Sequence, residues 1–122
     1  MSFGNILQAI LDGSPGALGI ALMGNDGVAI EQLQSEKGRA AGEDIGTAGV
    51  EFGRILSEIR KASDTLGGGP LAETVISLAR FSLIFRVVDD EFFLVLSLSP
   101  DGNLGKARYL IRRHLLLIRQ EL

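Results

Sequence analysis

The sequence predicts an α/β protein of the α+β sandwich type, with helices packed on both faces of one five-stranded antiparallel sheet. Apolar residues recur at helical spacing in three segments, which predicts three amphipathic helices. Five shorter segments have the alternating or fully apolar pattern of strands, and glycine, proline or acidic residues separate them. With 122 residues, 46% of them hydrophobic, the chain is long enough for one domain, which we assign to residues 1–122.

The first half of the chain is predicted to begin with a helix and a hairpin. Apolar residues at helical spacing place the helix between Ser2, a suitable N-terminal cap, and the helix-breaking Gly13. Residues 17–23 are apolar on both faces, which predicts a strand that is covered on both sides. A turn at residues 25–27 leads to a more polar strand over residues 28–34, which we expect at an edge of the sheet.

The second half is predicted to contain a long helix, three strands and a final helix. The long helix follows a loop at residues 35–42, extends over residues 43–66 and ends at Gly67. An acidic turn at residues 89–91 separates the last two strands. The strands and the final helix are assigned to residues 71–78, 81–88, 92–98 and 103–122.

The apolar pattern also predicts the order of the strands. The first and fifth strands are apolar on both faces, so they should lie side by side at the centre of the sheet. The resulting order is 2-1-5-4-3, with the third strand at an edge. We expect the long helix on one face of the sheet and the N- and C-terminal helices on the other.

The residue types that carry most enzyme chemistry are scarce. The chain has no cysteine and one histidine, His114, which we expect to have a surface or packing role. The acidic residues 89–91 are expected to form a solvated turn, because the spacing of a calcium-binding loop is missing. The glycine-rich segments lack the strand–loop–helix context of a phosphate-binding loop. We therefore predict a protein that is not an enzyme and that holds no cofactor and no metal.

Charge is unevenly distributed along the chain. The formal net charge is −3, whereas residues 101–122 carry five basic side chains against two acidic ones. The acidic remainder argues against nucleic-acid binding. We expect a cytoplasmic protein without a membrane span, because no apolar run reaches roughly 18 residues and the N-terminus lacks a secretion signal. A basic stripe of Arg108, Arg112 and Arg119 fits either a solvated face or a docking site for an acidic partner or an anionic membrane.

Two features favour self-association. The long helix carries glycines at a spacing that lets another backbone approach closely, either the chain's own sheet or the same helix of a second copy. Ile55 is expected to face the sheet, with the glycines to one side. The third strand has apolar residues at an exposed edge, which favours pairing with another strand. We therefore predict a two-fold symmetric homodimer whose interface contains Gly49, Gly53, Leu56, Val75 and Ile76.

Over nearly its whole length the chain resembles the Roadblock/dynein light chain family. The order of the elements matches, as do the first hairpin, with Asp26 and Gly27 in its turn, and the glycine- and alanine-rich long helix. The most specific feature is Leu104-Gly105 followed by Arg108, which is similar to the Leu-Gly-x-x-Arg/Lys pattern that begins the last helix of bacterial gliding-motility regulators of the MglB type.

The resemblance implies a homodimer with a continuous sheet across the third strands and paired long helices. It also implies a small Ras-like GTPase as partner, regulated by a protein that supplies no catalytic residue. The charged outer face of the long helix begins at Glu43. By position, four exposed residues of this face would be the GTPase-binding set: Glu51, Arg54, Glu58 and Lys61. A solvated face, a structural adaptor and a small-molecule sensor remain open as alternatives.

Overall fold

The computed structural model describes residues 2–42 and 44–122, and the described residues form four helices and five strands. The sheet has the order β2-β1-β5-β4-β3, and all neighbouring strands are antiparallel. The predicted fold class, strand order and edge position of the third strand are therefore confirmed. In chain order the elements are α1 (Phe3–Gly13), β1 (Ala17–Gly24), β2 (Ala29–Gln34), α2 (Glu36–Ala40), α3 (Ile45–Leu66), β3 (Glu73–Ser77), β4 (Ser82–Val87), β5 (Phe92–Leu98) and α4 (Leu104–Glu121).

The two terminal helices cover one face of the sheet, as predicted. Helix α1 begins where the Ser2 hydroxyl accepts a hydrogen bond from the backbone N–H of Asn5 (3.2 Å), and α4 begins at the equivalent cap Asn103. Their apolar stripes pack with alternate residues of the central strands into one cluster. Its fully buried members include Ile6, Ile10, Ile20, Leu94, Leu96 and Ile118.

Helix α3 covers the opposite face. Asp44 caps its first turn, and Gly67, at φ +69°, ends it with a backbone N–H bonded to the carbonyls of Asp64 and Ser63. The residues of β1 and β5 that point away from α1 and α4 pack against α3 in a second cluster. Because both faces of the sheet are covered, all eight residues of β1 are buried, which explains its continuous apolar pattern.

The prediction of a loop at residues 35–42 was wrong, because part of this segment forms the short helix α2. The Ser35 hydroxyl caps it by accepting a hydrogen bond from the backbone N–H of Gly38 (3.0 Å). Five residues are too few to show an apolar stripe at helical spacing. The only local sign of this helix was therefore Ser35, a suitable N-terminal cap. The predicted start of the long helix at Glu43 lies outside the described residues. None of the helices in the described part of the chain combines the length and apolar character that a membrane span needs.

Candidate functional site

The charged outer face of α3, from Glu51 to Lys61, is exposed along about three turns of the helix. Arg54 donates to the carboxylate of Glu51 (Nη2–Oε2 2.8 Å), and Lys61 donates to that of Glu58 (Nζ–Oε1 3.2 Å). Each pair joins side chains three residues apart, so the positive and negative charges of this face neutralise each other within α3. Exposed pairs of this kind contribute less than about 1 kcal/mol to stability, which leaves them free to exchange partners.

A shallow groove runs along this face. It encloses about 390 Å³ and is lined by Phe52 and Ile55 together with charged side chains of the outer face. Ile55 is 47% exposed, so an apolar side chain lies beside the charged residues that line the groove. An apolar centre with a charged rim is the composition of a protein–protein contact.

The predicted dimer residues of α3 face the chain's own sheet. A Cβ atom at Gly49 would lie 2.9 Å from Cε of Met23, and one at Gly53 would lie 3.4 Å from Cζ of Phe93. Leu56 is only 2% exposed. The prediction that these three residues lie to one side of the helix, with Ile55 toward the sheet, was therefore wrong: the helix is rotated, and the glycines let it approach β1 and β5 closely.

The apolar flank of α3, which we define as Phe52, Ile55 and Ile59, lies on the β4 side instead. The ring of Phe52 is 5.9 Å from that of Phe85 on β4. A groove of about 500 Å³ separates the start of α3 from the turn between β3 and β4, with Phe52 and Phe81 among its lining residues. The flank and the edge strand β3 therefore lie on the same side of the protein.

Strand β3 carries the other two predicted interface residues. Within the described residues it pairs with β4 alone, so its second edge has no strand partner. Val75 lies opposite Ile84 on the α1/α4 face and is 37% exposed. Ile76 lies opposite Leu83 on the α3 face and is partly buried. The two residues thus point to opposite faces of the sheet at an open edge.

His114 and Asp89 make contacts within their own elements. The ring Nδ1 of His114 lies 2.8 Å from the carbonyl oxygen of Leu110 in the preceding turn of α4. Asp89 accepts hydrogen bonds from the backbone N–H groups of Glu91 and Phe92, which closes the predicted acidic turn. No group of three or more potential metal ligands occurs in the part of the chain that the structure describes.

Two carboxylates have lowered pKa values. At Asp44 the main cause is a hydrogen bond from the Thr47 hydroxyl (2.7 Å), which lowers the pKa below its ordinary value of 3.8. At Asp101 a hydrogen bond from the Ser99 hydroxyl (2.6 Å) and then the charge of Lys37 lower the pKa. The Asp44 carboxylate caps α3, and the Asp101 carboxylate links the turn after β5 to Lys37 of α2 (Nζ–Oδ1 3.5 Å).

Aromatic side chains fill the space between α3 and the sheet. The ring of Phe85 lies 5.9 Å from that of Phe52 and 6.0 Å from that of Phe93, and Met23 and Leu56 pack beside them. A small-molecule sensor would need an enclosed cavity at this place. The packing therefore argues against that alternative.

Helices on both faces of a five-stranded antiparallel sheet of order 2-1-5-4-3 define a Roadblock-type domain, and comparisons with solved structures agree. The chain is 34% identical to MglC from Myxococcus xanthus, over the full length of both chains, with a TM-score of 0.71. It superposes on the gliding protein MglB from Thermus thermophilus at 18% identity, with 97% and 86% of the two chains covered and a TM-score of 0.84. It is 14% identical to the Roadblock/LC7 domain from Streptomyces avermitilis, with 98% of this chain and 97% of that chain covered and a TM-score of 0.82.

The chain therefore belongs to the Roadblock family, close to the MglB-type proteins. No protein-family model matches the sequence, and no curated protein does. The two structures with identities under one fifth support the fold alone, whereas the full-length identity to MglC supports the family.

Proposed function

We propose that this protein is a cytoplasmic, homodimeric regulator of a small Ras-like GTPase, which it activates or scaffolds without catalytic residues of its own. The observation that carries the proposal is the outer face of α3, where two exposed ion pairs, Arg54 with Glu51 and Lys61 with Glu58, present charged side chains to a partner. The family resemblance supplies the partner class, and the 34% identity to MglC supports that resemblance along the whole chain.

The homodimer would form through the edge of β3 and the apolar flank of α3. Pairing β3 with its copy would satisfy the open strand edge and extend the sheet across the two-fold axis. The flank lies on the same side as β3, so the two α3 helices would then approach through Ile55 rather than through Gly49 and Leu56. The dimer would bring two charged outer faces together into one larger surface.

The charged residues would bind the GTPase by exchanging partners. Arg54 and Lys61 now pair with carboxylates of their own helix, and a partner can offer replacement acids while Glu51 and Glu58 accept its bases. The exchange costs little because the internal pairs are exposed. The regulator would then act by holding the GTPase in one conformation, while the groups that hydrolyse GTP belong to the GTPase.

The test uses the purified protein and the small Ras-like GTPases encoded in the same genome, each loaded with GDP or with a non-hydrolysable GTP analogue. We expect one of them to bind in biolayer interferometry with a preference for one nucleotide state. The double substitution Arg54→Glu with Lys61→Glu should weaken that binding about tenfold or more, because both positions would repel the acids they are meant to attract.

The matched control reverses two charges on the opposite face of the sheet, Lys106→Glu with Arg113→Glu, which should leave GTPase binding unchanged. Binding that ignores the nucleotide, without an effect on GTP hydrolysis, would favour the structural adaptor instead. If none of the GTPases binds, or if both double variants bind as well as the original protein, the proposed function is wrong.

A further inference from the structure

The edge strand β3 carries a carboxylate that three arginines surround. Glu73 is only 12% exposed, and its Oε1 accepts a hydrogen bond from Nε of Arg108 on α4. Nη1 of Arg86 on β4 lies 3.6 Å from its Oε2, and Nε of Arg112 on α4 lies 4.0 Å from the same atom. We call Glu73, Arg86, Arg108 and Arg112 the arginine cluster.

The arginine cluster has more positive charge and more donors than its one carboxylate can use. Three guanidinium groups face one acid, which leaves an excess of two positive charges. Nε of Arg86 is buried and has no hydrogen-bond partner among the described residues. At 4.0 Å, Nε of Arg112 is too far from Glu73 for a hydrogen bond, and 55% of its side chain is exposed. The exposed Arg112 can therefore pair with a further anionic group.

Apolar side chains lie beside the arginine cluster on the outer side of α4. Tyr109 is 53% exposed and Leu116 is 62% exposed, and both lie near Arg112 and Arg113 on the helix surface. Across the whole of α4, five basic residues stand against the single acid Glu121. Arginine and tyrosine beside an exposed leucine form a composition that is typical of the centres of protein interfaces.

Arg108 of the cluster and Arg119 beside it are held in a fixed arrangement, which favours a discrete partner over a diffuse charged surface. Arg108 is anchored by Glu73, and farther along the same flank Nε of Arg119 donates to the carbonyl oxygen of Val88 (2.7 Å). Planar guanidinium groups held in place match the geometry of carboxylates, whereas attraction to a lipid surface needs only flexible, exposed charge. Four of the five basic residues of α4 are arginines.

We propose that the arginine cluster and the outer side of α4 form a second docking surface, which binds an acidic and partly apolar segment of a partner protein. Carboxylates of the segment pair with the exposed Arg112, and its apolar side chains pack on Tyr109 and Leu116. The surface lies on the sheet face opposite α3. It is therefore separate from the proposed GTPase-binding face and can be occupied at the same time.

The test measures binding of a fluorescently labelled peptide of alternating glutamate and leucine by fluorescence anisotropy. A second peptide, in which glutamine replaces every glutamate, serves as the uncharged comparison. The original protein should bind the glutamate peptide more tightly than the glutamine peptide. Arg112→Glu should weaken the binding about tenfold, and Tyr109→Ala should weaken it without a change in charge. Both positions are exposed, and unchanged melting temperatures would verify that the variants fold.

The matched control is Lys61→Glu, which makes the same change of net charge on the opposite face and should leave peptide binding unchanged. If Lys61→Glu and Arg112→Glu weaken peptide binding equally, the binding depends on the net charge of the protein alone, and the proposal is wrong. Binding to phosphatidylserine vesicles without binding to the peptide, or dissociation of the homodimer by Arg112→Glu, would also overturn the proposal. The GTPase assay is independent, because Arg112→Glu should not alter it.

Discussion

At Gly38 the short helix α2 approaches strand β1 so closely that no side chain fits between them. A Cβ atom at this position would lie 1.9 Å from the carbonyl oxygen of Leu18 and 2.8 Å from its carbonyl carbon. Both are backbone atoms of a central strand, so neither can move aside cheaply. The absent side chain at Gly38 thus sets the position of the segment that leads into α3.

We expect Gly38→Ala to lower the free energy of unfolding by about 1–3 kcal/mol, the usual cost of forcing atoms into a packed site. Gly105→Ala is the matched control. Its added Cβ would meet nothing closer than 3.7 Å, and alanine favours a helix by up to about 1 kcal/mol over glycine. Urea denaturation measures both variants. Equal stability of the two would show that α2 does not pack as described.

The lowered pKa of Asp44 predicts that the stability of the fold depends on pH through the cap at the start of α3. This pKa is lowered in the folded protein, so the carboxylate stabilises the fold fully above its ordinary pKa of 3.8 and loses this effect as the pH falls through the lowered value. We expect the melting temperature to fall in that acid range, and to fall less in Asp44→Asn, which keeps an acceptor but cannot titrate. Scanning calorimetry at several pH values across this range measures the two melting temperatures. An equal fall of the melting temperature in both proteins would contradict the prediction.

At the scale of elements, the two neighbours Ile55 and Leu56 have opposite roles. Ile55→Glu places a charge on the apolar flank and should convert the proposed homodimer into a folded monomer. Leu56→Ala should instead lower the free energy of unfolding by about 2–5 kcal/mol, because it removes buried atoms from the apolar cluster between α3 and the sheet. It should leave the proposed dimer intact. Light scattering and circular dichroism separate the two outcomes. A dimeric Ile55→Glu variant would place the interface elsewhere.

Most of the elements were predictable because their patterns are local. Strands β1 and β5 are apolar on both faces, and that property alone determined the centre of the sheet and the strand order. The rotation of α3 was not predictable, because glycine adds nothing to an apolar stripe and yet decides how closely the helix packs. The basic stripe with Arg108 and Arg112 was recognised, but its contact with Glu73 was not, because Glu73 and Arg108 are 35 residues apart and meet only in the folded chain.

At the scale of the whole molecule, the sheet separates two surfaces of different character. One face carries α3, with its balanced charges, and the other carries α4, with an excess of arginine. The proposed dimer interface at β3 and the apolar flank lies at the side, between them. A dimer of this form can bind a GTPase through α3 while α4 remains accessible to an acidic segment.

The most direct test of the central claim is the mass of the assembly, measured by size-exclusion chromatography with light scattering. Alone, the protein should elute at twice the 13.0 kDa mass of one chain. With the cognate GTPase bound to a GTP analogue, the mass should rise by at least one GTPase per dimer, and the charge-reversed Arg54 and Lys61 variant should remain a dimer without that rise. A monomer at all concentrations, whose mass no Ras-like GTPase from the same genome increases, would contradict the account.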